Sequence, residues 1–335
     1  MNIPTKRDRK MKIGITYDLR SWYRARGYSE EETAEFDREE TVEAIEANLR
    51  TLGHRPERIG NIYDLVGMLA SGKRWDLVFN IAECLHGDGR ESAVPALLDQ
   101  YRIPYVFSGP VVMGLSLNKY YTRLVAESAG VPVAPGTVLR HAEEVEARTE
   151  GFVFPLFLKP VAEGTGKGIS PDSIVRNRTE LRERCATLFK QYGPAILAEE
   201  YLPGREFTVG MVGSGPEARC IGAMEIVCRD NLPYCNAVKE DFERYVQYKL
   251  IEEPVRTACE SVAKAAWVAI NGFDAGRIDL RTDRNGRICF LEANPLAGLH
   301  PVDSDLPILC RLNGISYPEL LRRIVEAALT RIGKP

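Results

Sequence analysis

The sequence predicts an α/β protein of two or three domains, and three observations carry that prediction. Strand and helix patterns alternate from Met11 onward. A glycine-rich loop follows an apolar strand in "FPLFLKPVAEGTGKGIS". Near the C terminus an Asn-Gly turn joins two strands in "RIDLRTDRNGRICFLEAN". A length of 335 residues, 44% of them hydrophobic, supplies cores for such an arrangement.

In chain order, "MKIGITY" reads as a strand, Glu39 to Leu52 as an amphipathic helix and "DLVFN" as a buried strand. "ESAVPALLDQY" reads as a helix and "IPYVF" as a short strand, which together predict a small parallel βαβ domain. A second unit opens with a helix from Asn118 to Ala129. It breaks at "GVPVAPGT", continues through the strand "FPLFLKP" and the glycine loop, and ends near "AILAEEYLPGRE". The remainder predicts strands at Phe207 to Gly213 and Arg219 to Val227, helices at Val255 to Ile270 and Tyr317 to Leu329, and the Asn-Gly hairpin. "GSGPEA" at 213–218 fits a weak dinucleotide pattern, but strand-like sequence follows where a helix is needed, so it reads as a hairpin turn.

Composition excludes several functions. A net charge of −3 and a pI near 6.0 give no basic stripe for nucleic acid and no attraction to an anionic membrane. No run approaches the roughly 18 apolar residues of a membrane span. "MNIPTKRDRKMK" lacks the apolar region of a signal peptide and reads as a basic tail, with Met11 an alternative start. Eight cysteines without a CxxC pair read as reduced thiols of a cytoplasmic protein, with Cys84 and Cys235 as small buried hydrophobes.

The hairpin raises the chemical question. A type I′ turn at Asn285-Gly286 pairs Asp279 with Glu292 and Arg277 with Asn294, all on one face. Ile278, Leu280, Leu291 and Ala293 then fill the other. Opposed carboxylates repel. A divalent cation between them, with the Asn294 oxygen as a third hard ligand, resolves the repulsion and suits magnesium; the alternative is a solvated hairpin edge. Lys159 closes a strand, and Gly164, Gly166 and Gly168 surround Lys167 in a loop able to turn N–H groups onto phosphate, or else a surface turn. Walker spacing fails, since Val161 stands where the first glycine belongs. Lys119 and Lys239 singly read as surface lysines. Together with the loop and the acidic pair they match nucleoside triphosphate chemistry.

The motifs "FNIAECLHG", "IPYVFSGP", "LNKYYTR", "GVPVAPGT", "FPLFLKP", "GTGKGIS", "EEYLPGREF", "NAVKED", "GRIDL" and "FLEANPLAGL" occur in an order that resembles the D-alanine–D-alanine ligases of the ATP-grasp superfamily. The resemblance covers nearly the whole chain. It implies a three-domain ATP-grasp fold: an N-terminal βαβ domain over 1–115, a central domain with the glycine loop over 116–198, and a C-terminal α+β domain with the metal hairpin over 199–335. It implies ATP between the second and third domains, with Lys119, Lys159 and Lys239 on the phosphates. Gly164, Thr165, Gly166, Lys167, Gly168, Ile169 and Ser170 would close over the γ-phosphate. Glu199, Glu200, Tyr201 and Leu202 would line the adenine, and Glu206 would take the ribose hydroxyls. Two magnesium ions, replaceable by manganese, would bind Asp279, Glu292 and Asn294. Arg277 and the Gly298 N–H would stabilise an oxyanion. The same resemblance implies small amino-acid substrates, an acylphosphate intermediate and a homodimer.

The chain also departs from that pattern. The family's glycine-rich turn with a catalytic glutamate after the first strand is absent. Glu35, Asp37 or Glu40 can stand in, although an acidic solvated helix start is the favoured reading of that stretch. Glu240 replaces an aromatic residue, and Asp303, beside Ser304, replaces a serine. Asp303 then either receives a substrate ammonium or polar group, or pairs with a protein cation such as Arg311. Glu83, His86, Arg90 and Glu91 are candidates for the first-substrate side. His300 reads either as a titrating pocket residue or as a structural loop histidine, and His54 and His141 as surface residues. Beside an amino-acid ligase the open alternatives are a housekeeping D-alanine–D-alanine ligase, a non-catalytic ATP-binding protein and a small-molecule kinase on the same fold.

Overall fold

The computed structural model describes residues 10–229, 234, 238 and 242–333, and its strands form three sheets. In the first, β1 (Lys12–Thr16) lies between β2 (Arg55–Gly60) and β3 (Leu77–Asn80), all parallel. Ile13, Ile15, Leu77 and Phe79 are fully buried, as expected of a parallel sheet covered on both faces. The helix Glu39–Thr51 turns Val42, Ile45 and Leu49 inward at helical spacing. The expected strand at 103–107 reduces to a bridge between Val78 and Tyr105, because Phe107 takes φ +72 and leaves the extended region.

The second sheet has the order β4 (Gly136–Leu139), β7 (Ile196–Glu200), β5 (Leu156–Pro160), β6 (Ile174–Val175) and is antiparallel. The third is also antiparallel, in the order β10 (Val246–Leu250), β9 (Arg219–Cys228), β8 (Glu206–Val212), β11 (Ala275–Thr282), β12 (Ile288–Asn294). "GSGPEA" turns β8 into β9, as expected. The helix Lys119–Ser128 starts at Asn118, whose side chain accepts the Tyr121 N–H, and it buries Ala126 with Phe207 and Ile278 of the third sheet. The closing helix Tyr317–Ile332 packs into a core shared with β1 and β3.

The hairpin keeps its chemical register but not its turn. Only Gly286 has positive φ, +80, and Asp283 pairs with Arg287 across a three-residue loop. This is the αL-plus-bulge alternative to type I′, and near the turn it shifts the pairing by one residue. A bulge at Leu291 restores it, so that Asp279 faces Glu292 and Arg277 faces Asn294. Leu291 consequently leaves the core face expected for it and lies on the wall of a cleft.

Candidate active site

Asp279 sits at the centre of the hairpin. Its carboxylate accepts from Thr208 Oγ1 at 2.6 Å and Asn294 Nδ2 at 3.1 Å, and Arg277 Nη1 donates to both of its oxygens. Burial raises the Asp279 pKa, Arg277 opposes that and Glu292 adds to it, leaving it at about 6. Asn294 Nδ2 also approaches Glu292 Oε1 at 3.5 Å. The asparagine therefore turns its N–H edge toward the acids, and a half-turn of the amide presents its oxygen instead. Two facing carboxylates and that amide form the hard, oxygen-only donor set that suits a magnesium ion.

A cleft of about 90 Å³ opens on one side of this hairpin, between the second and third sheets. Lys119, Lys159, Thr165, Gly166, Lys167, Ile169, Glu199, Glu200, Tyr201, Leu202, Glu206, Asp279 and Glu292 all line it. Its cations are held by carboxylates: Lys159 to Glu199 at 2.6 Å and Lys119 to Glu292 at 3.5 Å. At the far end Glu206 meets Arg281 at 3.2 Å, and Arg281 Nη2 donates to the Tyr201 hydroxyl at 3.1 Å. Sequence reasoning missed Arg281. Its place two residues beyond Asp279 on one strand, hence on the same face, was the available signal. Gly168 and Ser170 lie outside the lining: the Gly168 carbonyl accepts from Arg184, and the Ser170 N–H donates to Ser173.

On the other side lies a cavity of about 390 Å³ lined by Arg277, Asn294, Gly298, His300, Asp303 and Ser304, and opposite them by Arg20, Glu35, Asp37, Arg38, Glu83 and Glu91. Gly298 is packed so closely that a Cβ would stand 2.8 Å from Ser304 Oγ. Ser304 Oγ in turn accepts the His300 N–H at 2.9 Å. His300 Nδ1 accepts the Asp303 N–H at 3.1 Å, which makes it a loop-organising residue. Asp303 pairs with Arg38 at 2.9 Å, whereas Arg311, the example offered for the protein-cation alternative, donates to the Pro301 carbonyl. Tyr234 lines both cleft and cavity and donates to Asp305 at 2.6 Å; Asp305 lies 3.6 Å from Arg277.

Glu35 overturns the solvated-helix-start reading. Its side chain is 4% exposed, bound to Arg90 at 2.7 Å and Lys167 at 2.8 Å, and it accepts the Gly164 N–H at 3.0 Å. The segment that follows β1 thereby grips the glycine loop. Asp37 is also drawn into the cavity, and of the three candidates Glu40 alone is an exposed helix-start residue. Arg90 and His86 border a separate depression of about 210 Å³ behind Glu35, while Glu83 and Glu91 reach the main cavity. Cys84 is buried, as expected, whereas His54 is half-buried rather than on the surface. Lys239, Glu240 and Cys235 lie outside the described residues. Among those described, no helix is long and apolar enough to cross a membrane.

Known proteins share this architecture. Residues 125–326 match the family model described as D-ala D-ala ligase C-terminus. A D-alanine–D-alanine ligase of Gluconobacter oxydans is 33% identical over 300 residues, covering 86% of this chain and 92% of the relative. One from Geobacter sulfurreducens is 32% identical over 262 residues, covering 74% and 77%. Among solved structures, the Bacillus anthracis D-alanine–D-alanine ligase complexed with ATP superposes with a TM-score of 0.73 at 21% identity, over 96% of this chain and 98% of that one. The VanG D-Ala:D-Ser ligase of Enterococcus faecalis gives 0.74 at 17%, over 96% and 100%. The three sheets accordingly form an ATP-grasp fold, and with a family model over residues 125–326 and a one-third-identical relative along most of its length, the chain belongs to the D-alanine–D-alanine ligase family of ATP-dependent ligases.

Proposed function

We propose that the protein joins the carboxylate of one amino acid, or a close relative, to the amine of another, using ATP and passing through an acylphosphate. One observation carries the reading: the lysine-lined cleft and the arginine-lined cavity meet at the hairpin, where Asp279 and Glu292 face the cleft and Arg277 and Asn294 face the cavity. A nucleotide in the cleft brings its terminal phosphate to that junction, and an acid in the cavity approaches it from the other side.

A carboxylate oxygen of the first substrate attacks the γ-phosphorus, the bond to the β-phosphate oxygen breaks, and ADP leaves. The neutral amine of the second substrate then attacks the acyl carbon. The resulting oxyanion lies at Arg277 and the Gly298 N–H, the C–O bond to phosphate breaks, and the amine proton is lost as the amide forms. Lys119 and Lys159 hold phosphate oxygens, and the glycine loop shields the acylphosphate from water. Glu206 takes the ribose, with Tyr201 and Leu202 beside the adenine. Asp279, Glu292 and the Asn294 oxygen would hold magnesium, or manganese in its place, which when bound neutralises charge on the transferring phosphoryl group. The protein supplies position and charge, and no nucleophilic side chain enters. A homodimer is expected and is checked by sedimentation equilibrium.

ADP release across a panel of amino acids, with mass spectrometry of the products, tests the proposal. An amide product supports it. A phosphorylated acid without an amide would make the protein a kinase, and absence of ADP release with every acid would leave an ATP-binding protein. D-alanine alone giving the highest kcat/KM would assign the housekeeping reaction.

A further inference from the structure

The acceptor sites of Asp279 are all taken by the protein itself. A carboxylate offers about four lone-pair sites on its two oxygens. Thr208 Oγ1 donates to Oδ1, Asn294 Nδ2 to Oδ2, and Arg277 Nη1 to both. A metal ion held by this carboxylate therefore has to displace a donor. Thr208 is fixed opposite Asp279 by the pairing of β8 with β11. Turning the Asn294 amide frees one site, but the guanidinium still stands on that oxygen and repels a second cation brought to it. Arg277 is the donor that has to yield.

A buried guanidinium yields only to another counter-ion, because an uncompensated buried charge is strongly unfavourable. The Arg277 side chain is 11% exposed, and among the described residues Asp279, Asp305 and Glu292 are the carboxylates whose charge acts on it. Glu292 is itself part of the metal donor set, which leaves Asp305. Its Oδ2 lies 3.6 Å from Nη1, the same nitrogen that spans Asp279. Its Oδ1 accepts the Tyr234 hydroxyl at 2.6 Å, and the Tyr248 hydroxyl stands 3.5 Å away and 2.9 Å from that of Tyr234. The two phenols hold the carboxylate with Oδ2 turned to the arginine, where it accepts no hydrogen bond from any described residue. Closing 3.6 Å to the roughly 2.8 Å of a charge-assisted bond takes a movement of under about 1 Å.

We propose that Asp305 is a positioning residue that takes over Arg277 when a divalent cation occupies Asp279. The inference rests on the magnesium reading of the hairpin. Arg277 and Asp305 both line the cavity, so the transfer keeps the guanidinium on the side where the oxyanion forms. Filling the metal site and aiming the arginine then become one event. Asp305 is also the first residue of the helix Asp305–Leu312, where an acid is favourable at the helix end whatever else it does; that role alone predicts a change in melting temperature and none in metal affinity.

Manganese binding to the full chain, saturated with a non-hydrolysable ATP analogue and followed through the electron paramagnetic resonance of the free ion, tests the transfer. Asp305→Asn keeps an acceptor for Tyr234 and removes the charge, and manganese affinity is expected to fall at least about tenfold, the ratio that one charge-assisted contact gives. Asp305→Glu should recover most of it. If the asparagine variant fails to fold, Asp305→Ser carries the same comparison. In an Arg277→Met background Asp279 is already released, and there Asp305→Asn should change the affinity by less than about twofold. Unchanged affinity in Asp305→Asn would overturn the proposal. So would an equal loss with and without Arg277, since Asp305 would then act on the ion directly through its charge. Glu292→Gln separates the two readings: if the wild type binds manganese no tighter than this variant, the hairpin holds no metal and both fall, whereas tighter binding by the wild type that is insensitive to Asp305→Asn removes the transfer alone.

Discussion

Substituting Glu35 by glutamine keeps the shape of the side chain and removes its charge, leaving Arg90 and Lys167, each 9% exposed, without their shared counter-ion. Breaking a buried pair from one side costs about 3–5 kcal/mol. Linkage gives a second measure. Burial alone would raise the Glu35 pKa, but Arg90 and Lys167 outweigh it and lower the value from 4.5 to about 2, equivalent to about 3 kcal/mol at roughly 1.4 kcal/mol per unit. Both measures place the loss near 3 kcal/mol. It falls on the joint between Glu35 and the glycine loop, because the same carboxylate accepts the Gly164 N–H. The expected result is local opening: hydrogen exchange in the peptide spanning the glycine loop accelerates by on the order of 100-fold, and KM for ATP rises. Because the folded pKa is depressed, the contribution is complete above pH 4.5 and fades as pH falls toward about 2, so wild type and variant converge in acid. Unchanged loop exchange at neutral pH, together with unchanged thermal stability, would refute the clasp.

Three further outcomes follow from the site. Glu292→Gln should abolish magnesium-dependent ADP release while leaving the circular dichroism and melting temperature near those of the wild type; equal activity in the variant, or in EDTA, would remove the metal role from the hairpin. Lys119→Ala and Lys159→Ala should each weaken ATP binding by about 1.5–3 kcal/mol, measured by calorimetry, and near-wild-type affinity in both would return them to structural pairing with Glu292 and Glu199. Asp303→Ser breaks a pair whose side chains are 31% and 43% exposed, so urea unfolding should change by less than about 1 kcal/mol despite the long sequence separation it bridges.

What was legible in the sequence had a local cause. Alternation brought Arg277, Asp279, Glu292 and Asn294 to one face, and helical spacing located Glu39–Thr51 and Val255–Ala269 within a residue or so. Elements with weak local signals were missed. The strand Arg55–Gly60 has no apolar run and exists as the partner of β1, and the helix Arg178–Tyr192 buries only Leu181, Cys185 and Leu188. Glu35 looked solvated because its neighbours in sequence are acidic, yet its partners lie 55 and 132 residues away, at Arg90 and Lys167. Asp303 and Arg38 are separated by 265 residues. No short-range pattern encodes such pairs, and only the packing of residues distant in the chain reveals them.

The hairpin shows why a correct pairing survived an incorrect turn. On its other edge β11 pairs with β8, Asp279 opposite Thr208 and Arg277 opposite Gly210. Thr208 also donates its hydroxyl to Asp279. That second strand fixes Asp279 from the interior of the sheet, whereas the Asn-Gly turn lies at its exposed end, where the loop holds one residue more than the expected turn. A surplus residue must be absorbed somewhere along β12. Accommodating it beyond Glu292 would have displaced Glu292 and Asn294 from Asp279 and Arg277, so the bulge at Leu291 takes it up just before the chemistry begins. The displaced leucine then covers apolar surface with Ala134, Leu202 and Cys289 at the cleft wall. The register of the facing carboxylates is thus held by the central strands of the sheet, and the turn is free to vary in length as long as the bulge remains on its side of Glu292.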